Sequence, residues 1–355
     1  MANSSFRDKM RPYKRWLQHI LNGAPREFDA ATLPWIDKAS TAEIDAFLKS
    51  FPVPENYPYD LKEKLEFWQK NGYIILEKAI PEEWCDKLWE EVEYTYDHHK
   101  EFGMKALVDK VNNNKDVPLR DVSAEKLRGI GARLNDYHQA SVAAKKLLSH
   151  SNVATFLKAI FNHDVVAFQT LVFKYGSQQG AHQDFPWVTS GIPSHLAAAW
   201  IALEDIDADS GPLFYFPGSH KNQKFDFGNG ILHKGGESLR NPYQFEQYLE
   251  KTNAEKGIPK QTLILKKGDL LVWHAALAHG GLPITSNPPK TRKSLVVHYS
   301  TKQAYPTPLR FGSHEKPVEF INNGISIYGH PQRPEEENVL KMGETWQEEN
   351  VKVTQ

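Results

Sequence analysis

One cysteine, Cys85, occurs in 355 residues, so no disulfide can close within the chain. A reducing, cytoplasmic setting fits that usage. No stretch approaches the roughly 18 consecutive apolar residues that a membrane-spanning helix needs. The opening MANSSFRDKMRPYKRW also has no apolar core of the kind that marks a secretory signal. Neither sign of charge dominates: 43 Lys and Arg stand against 44 Asp and Glu, a formal net charge of −1. A nucleic-acid-binding domain would show a basic excess. These absences leave a small molecule as the expected partner, with no nucleic acid and no membrane span. Aromatic residues are plentiful, with 9 Trp, 14 Tyr and 18 Phe. They suit sheet faces and pocket walls, or simply a large core.

The chain divides by periodicity. Residues 1–58 read as a helical extension and linker, with short amphipathic stretches at 13–21 and 41–49 before the proline-broken FPVPENYP. DLKEKLEFWQKNGY then predicts a helix stopped at Asn71-Gly72, followed by the strand YIIL and a helix over 82–96. Residues 105–135 are polar and read as a loop, and helical signal returns at 140–160. Beyond 163 the runs VVAFQTLVFKYG, LAAAWIALEDI, PLFYFPG, QTLILKKG, DLLVWHAALAHGG and KSLVVHYST are short, β-branched or aromatic, and punctuated by turn residues. One further helix is expected at 242–256. The pattern predicts a mainly β domain over 59–305 with flanking helices, an antiparallel sandwich or barrel rather than a parallel α/β sheet. Residues 306–355 form an extension whose acidic tail is expected to be loosely attached.

The chemistry centres on AHQDFPW, residues 181–187. In an extended segment residues i and i+2 share a face, so His182 and Asp184 converge. That pair is a metal site or a hydrogen-bonded pair at a strand end. A metal site of two histidines and one carboxylate leaves other positions open for substrate and oxygen. His195, His220, His274, His279 and His298 in the β-rich half are candidates for the second histidine. His274 falls within the strand LLVWHA and reads as a core histidine. His279 opens into a loop beside small glycines and has room for a metal. Arg292, at the start of the next strand, is suited to clamp a carboxylate through its guanidinium fork, or is a solvated loop arginine.

Taken in order, HQD, GPLFYFPGSHK, the Gly-Asp of KKGDLLVWHAALAHGG and the later Arg closely resemble the phytanoyl-CoA dioxygenase family. The resemblance runs from about residue 61 to about 301. It implies a double-stranded β-helix (jelly-roll, cupin-like) fold and an oxygenase dependent on iron(II), 2-oxoglutarate and O2. By that resemblance His182, Asp184 and His279 are the iron ligands and catalytic centre, and Arg292 holds the distal carboxylate of 2-oxoglutarate. Trp200 and Thr170 line the co-substrate pocket. Two departures stand out: Gly281 occupies a place where the family often has Ser or Thr, and the spacing to Arg292 is lengthened around Pro288-Pro289.

The implied reaction hydroxylates a C–H bond of a small or medium-sized metabolite, releasing succinate and CO2. Asp184 favours hydroxylation, because related halogenases carry a small residue there. The alternatives are a non-catalytic jelly-roll binding protein and another cupin-type metalloenzyme. The first would have been expected to lose part of the site, and the second has no need of Arg292. Phe185, Trp187, Phe214 and Phe216 suit apolar substrates, and Lys221 and Lys224 suit anionic ones. Segments 105–135 and 221–260 are expected to close over the substrate.

Overall fold

A computed structural model describes residues 27–102, 104–108, 117–188, 190–228, 232–236, 238–305, 318–329 and 352–354. The helix expected at 13–21 and most of the acidic tail lie outside the described residues. No helix among them is long and apolar enough to cross a membrane.

Helix Leu61–Asn71 shows how local sequence sets the entry to the domain. The Asp60 carboxylate accepts the Glu63 N–H at 3.0 Å and caps the first turn. Leu61, Leu65 and Trp68 form its buried stripe. It stops at Gly72, whose φ of +75° is left-handed. A Cβ there would also overlap the His220 ring, so backbone and packing both require glycine.

The strands, in chain order, are β1 (Tyr73–Leu76), β2 (Lys105–Leu107), β3 (Val117–Pro118), β4 (Arg133–Asn135), β5 (Val165–Phe173), β6 (Leu196–Ala202) and β7 (Leu213–Tyr215). They continue as β8 (Gln261–Thr262), β9 (Leu270–His274), β10 (His279–Gly281), β11 (Ser294–Thr301), β12 (Val318–Asn322), β13 (Ile325–Gly329) and β14 (Lys352–Thr354). A large sheet runs β1-β9-β6-β11-β5-β13-β12-β14, and a small one runs β10-β7-β8. Helices cover the outer face of the large sheet, and the small sheet covers its inner face. The predicted strands past residue 163 are all present, antiparallel to one another as expected for a jelly roll.

Strand β6 is buried throughout because both its faces are covered. Ala197, Ala199 and Ile201 join the helix-side core with Leu65, Trp68, Leu88 and Phe156. Ala198, Trp200 and Ala202 join the inter-sheet core with Leu171, Tyr215, Trp273 and Val296. The two-residue period of the strand thus sorts its side chains between scaffold and site.

Three expectations change. Residues 105–135 are not simply a loop: β2 pairs with β3 and β4, and β4 pairs with β5, extending the large sheet. The polar composition that suggested a loop belongs largely to 109–116, outside the described residues. The boundaries expected near 58 and 305 cross packed elements. Ile36 and Ile44 lie in the same core as Leu65, and β13 pairs in parallel with β5 through Ile325 and Val165. The tail expected to be loosely attached returns at Lys352–Thr354 to pair with β12.

Candidate metal centre

The backbone brings the two distant histidines together. His182 and His279 exchange both N–H···O=C bonds, at 2.8 and 2.9 Å, forming an antiparallel bridge at the edge of the small sheet. Directly opposed residues place their side chains side by side, and the ring centroids are 4.3 Å apart. Each Nδ1 faces a carbonyl two residues back: Gly180 O at 2.9 Å for His182, and Leu277 O at 3.0 Å for His279. A carbonyl only accepts, so Nδ1 carries the proton and the Nε2 lone pair of each ring faces the cavity. Burial, reinforced by the neighbouring His279, pulls the His182 imidazole down to about 4, so it is neutral near pH 7.

Asp184, on the same face as His182, completes the cluster. Its Oδ1 lies 3.9 Å from His182 Nε2 and 3.7 Å from His279 Nε2. One donor atom from each of the three residues falls within 4.8 Å of the others. The spacing suits three donors around one cation. Burial opposes ionisation of Asp184. Attraction to the His279, His298 and His182 rings in their protonated forms outweighs it and holds the carboxyl well below the usual range. Its second oxygen, Oδ2, accepts the Trp273 indole N–H at 2.8 Å.

Arg292 reaches the same cavity from the loop before β11. It is 3% exposed, its Nη1 donates to Gly211 O at 3.1 Å, and its Nε has no partner. No carboxylate pairs with it among the described residues, and burial alone pulls the guanidinium down to about 10. A buried cation without a counter-charge is costly, so the arrangement calls for an anion. Trp200 stands beside it with the guanidinium 5.5 Å from its ring, and the Trp200 indole N–H is buried and unbonded. Leu171, Phe173, Leu213 and Val296 add apolar wall, and Arg133 brings a second guanidinium.

Thr170 departs from its expected place. On β5 its neighbours Leu171 and Phe173 point into the cavity, so Thr170 points to the other face, where its hydroxyl lies 2.9 Å from His138 Nδ1. It does not line the pocket. Gly281, the departure noted above, has a structural counterpart: a Cβ there would come within 2.8 Å of the Ser177 hydroxyl, and Ser177 lines the cavity.

The other histidines are accounted for locally. His195 packs at the start of β6 with Nδ1 3.0 Å from Thr301 Oγ1 at the end of β11. His274 follows Trp273, so strand alternation turns it away from Asp184, towards Trp68 and His220 at centroid distances of 6.1 and 5.4 Å. His274→Ala is therefore expected to keep metal binding and turnover while losing about 1–3 kcal/mol of stability. Metal titration and thermal melting would check this; loss of binding with an intact melt would contradict it. His298 lies inside the cavity, with Nε2 3.7 Å from Asp184 Oδ2. His298 is one of the five candidate histidines, whereas Trp273, Arg133 and Ser177 carry no motif that would have selected them. Lys224, expected near an anionic substrate, is instead buried against the His220 and Asn222 carbonyls at 2.9 Å each. Phe185 is core, stacked edge-on with Phe28, while Trp187 is 41% exposed. Helix Pro242–Glu255, in the second expected lid, sets Glu246 against Gly180, two residues before His182.

The family model described as phytanoyl-CoA dioxygenase (PhyH) matches residues 68–293. The peroxisomal phytanoyl-CoA dioxygenase of Rattus norvegicus is 22% identical over 273 residues, 70% of this chain and 72% of that protein. The Homo sapiens protein is 22% identical over 283 residues, 71% and 73% respectively. Among solved structures, EctD from S. alaskensis with 2-oxoglutarate and 5-hydroxyectoine aligns with a TM-score of 0.51 at 16% identity, covering 72% of this chain and 80% of that one. The epimerase SnoN in complex with Fe3+, alpha ketoglutarate and nogalamycin RO aligns with a TM-score of 0.51 at 17% identity, covering 71% and 88%. These two structural likenesses speak to the fold.

Proposed function

The chain belongs to the phytanoyl-CoA dioxygenase family and is an iron(II)- and 2-oxoglutarate-dependent dioxygenase, and from that premise we propose that it hydroxylates a C–H bond of a small or medium-sized metabolite. The observation that carries this reading is Arg292, a buried guanidinium without a counter-charge, in the same cavity as His182, Asp184 and His279. In this reading the two Nε2 atoms and Asp184 Oδ1 hold iron(II), and Arg292 holds the distal carboxylate of 2-oxoglutarate. The donor chemistry fits: two neutral imidazoles and a carboxylate suit a divalent iron and leave positions for a chelating 2-oxo acid.

Bound iron and 2-oxoglutarate supply the oxidising chemistry, in which R–H, O2 and 2-oxoglutarate become R–OH, succinate and CO2. The chain's own residues bind, orient and exclude water. The unbonded Trp200 indole N–H is placed to orient the co-substrate, and Leu171, Phe173, Leu213 and Val296 keep its methylene segment dry. Arg133 faces the cavity from β4, which supports a substrate carrying an anionic group. Asp184 as a third donor supports hydroxylation over halogenation. EctD and SnoN share the fold, and SnoN is an epimerase, so the outcome on the substrate carbon is the part to test.

Adding iron(II) and 2-oxoglutarate without oxygen should produce a visible metal-to-ligand charge-transfer band. Turnover under 18O2 should then place one labelled oxygen in the product and one in succinate. A product with no added oxygen, formed with stoichiometric succinate, would show epimerisation or another oxidation instead of hydroxylation. Absence of the band would remove the assigned co-substrate site.

A further inference from the structure

The two oxygens of Asp184 have different surroundings. Oδ1 faces the two histidine Nε2 atoms, at 3.7 and 3.9 Å. Oδ2 faces away from them. It accepts the Trp273 Nε1–H at 2.8 Å and lies 3.7 Å from His298 Nε2, longer than a hydrogen bond. Trp273 is held firmly: it lies in β9, between Tyr73 of β1 and Ala198 of β6, and is 2% exposed. Its ring also packs against that of His279, with centroids 4.9 Å apart. His298 projects from β11 opposite Ala198 of β6, so it too sits on a central strand.

We infer that Trp273 is a positioning residue that holds Asp184 as a one-oxygen metal ligand, with His298 flanking the retained oxygen; this rests on the ligand assignment proposed above. A charge-assisted N–H···O bond at 2.8 Å fixes the carboxylate plane with Oδ1 towards the histidines, and turning both oxygens to a metal would weaken that bond. The remaining positions around the metal are thereby kept for a chelating co-substrate and a third small ligand. The indole also restrains the His279 ring, so one side chain orients two of the three donors. Outer partners of this kind on rigid strands fix the ligand geometry that the metal requires. The alternation in LLVWHA makes this possible: Trp273 meets Asp184 while His274, the next residue, lies on the other face.

Trp273→Phe keeps an aromatic ring against His279 and removes only the N–H donor. The metal-free variant should bind cobalt(II), a stand-in for iron(II), roughly 10–100-fold more weakly than the wild type. Its d–d absorption should also change in intensity, as a freed carboxylate takes up two-oxygen coordination. A purely structural role would lower the melting temperature of the metal-free protein and leave the spectrum of the bound cobalt unaltered. Wild-type affinity together with a wild-type spectrum in Trp273→Phe would overturn the inference.

His182→Ala, run alongside, separates the two readings. If it binds cobalt like the wild type, the ligand assignment itself fails. If it loses cobalt while Trp273→Phe does not, only the positioning role fails. Should Trp273→Phe not fold, the wild-type protein decides: the assigned indole N–H proton of Trp273 should exchange slowly with solvent both metal-free and zinc-loaded. Fast exchange on zinc loading would mean that the bond to Oδ2 breaks when metal binds, and the inference would fall.

Discussion

Replacing His182, Asp184 or His279 by alanine each abolishes iron-dependent turnover while the metal-free protein keeps its fold. The cavity offers one donor atom from each residue, all within 4.8 Å of one another, and among the described residues no other cluster of histidine, cysteine or carboxylate does so. Removing any one leaves two donors, and turnover should fall well beyond the roughly 100-fold upper end seen when only an outer partner of a ligand is disturbed. Persistence of the fold follows from where these groups sit. His182 and His279 are held by their backbone bridge, which alanine retains. Asp184→Ala leaves the Trp273 N–H without an acceptor, an expected cost of about 1–3 kcal/mol. Circular dichroism of the metal-free variants, with metal content and succinate production, checks both halves. Full activity in Asp184→Ala would sink the assignment.

Arg292→Leu raises the concentration of 2-oxoglutarate needed for half-maximal turnover steeply. A buried carboxylate that loses its charge-assisted partner is expected to lose roughly 3–5 kcal/mol, about 10²–10³-fold or more in affinity. The metal-free protein should respond differently. It carries an unpaired buried guanidinium, so exchanging that group for an isobutyl side chain in an apolar pocket should leave the melting temperature unchanged or raise it. The two measurements together distinguish a ligand-binding arginine from a structural one. An unchanged requirement for 2-oxoglutarate would assign the clamp elsewhere, with Arg133 the other guanidinium in the cavity. Unchanged iron affinity in Arg292→Leu is part of the expectation, because the guanidinium touches none of the three donors.

The strands between residues 163 and 301 were legible because they are bounded by turn residues, and the face that His182 and Asp184 share follows from a period of two; β12, β13 and β14 fell in a segment read only as an extension. The separation of His279 from His274 was also legible, since a histidine beside two glycines has space that one flanked by tryptophan and alanine lacks. Thr170 was misread for a reason that the same period supplies. It is one residue out of phase with Leu171 and Phe173, and no local signal says which phase of β5 faces the cavity. The segment 105–135 was misread because composition registers polarity, while the pairing of Lys105–Leu107 with Arg133–Asn135 is made between residues far apart in the chain.

By itself, then, the sequence determined the fold class and the order of the strands between 163 and 301, the paired His182 and Asp184, and the candidacy of His279 and Arg292. These depend on short-range periodicity and on residue chemistry, which a chain displays locally. Only the tertiary structure decided that His182 and His279 are bonded backbone to backbone, and that Arg292 is buried without a counter-charge. It alone showed that Trp273 and His298 flank one oxygen of Asp184, and that Ser177 stands against Gly281. Each of these depends on segments well separated in sequence, brought together by sheet register and by how the small sheet closes over the large one, and no local pattern encodes that closure.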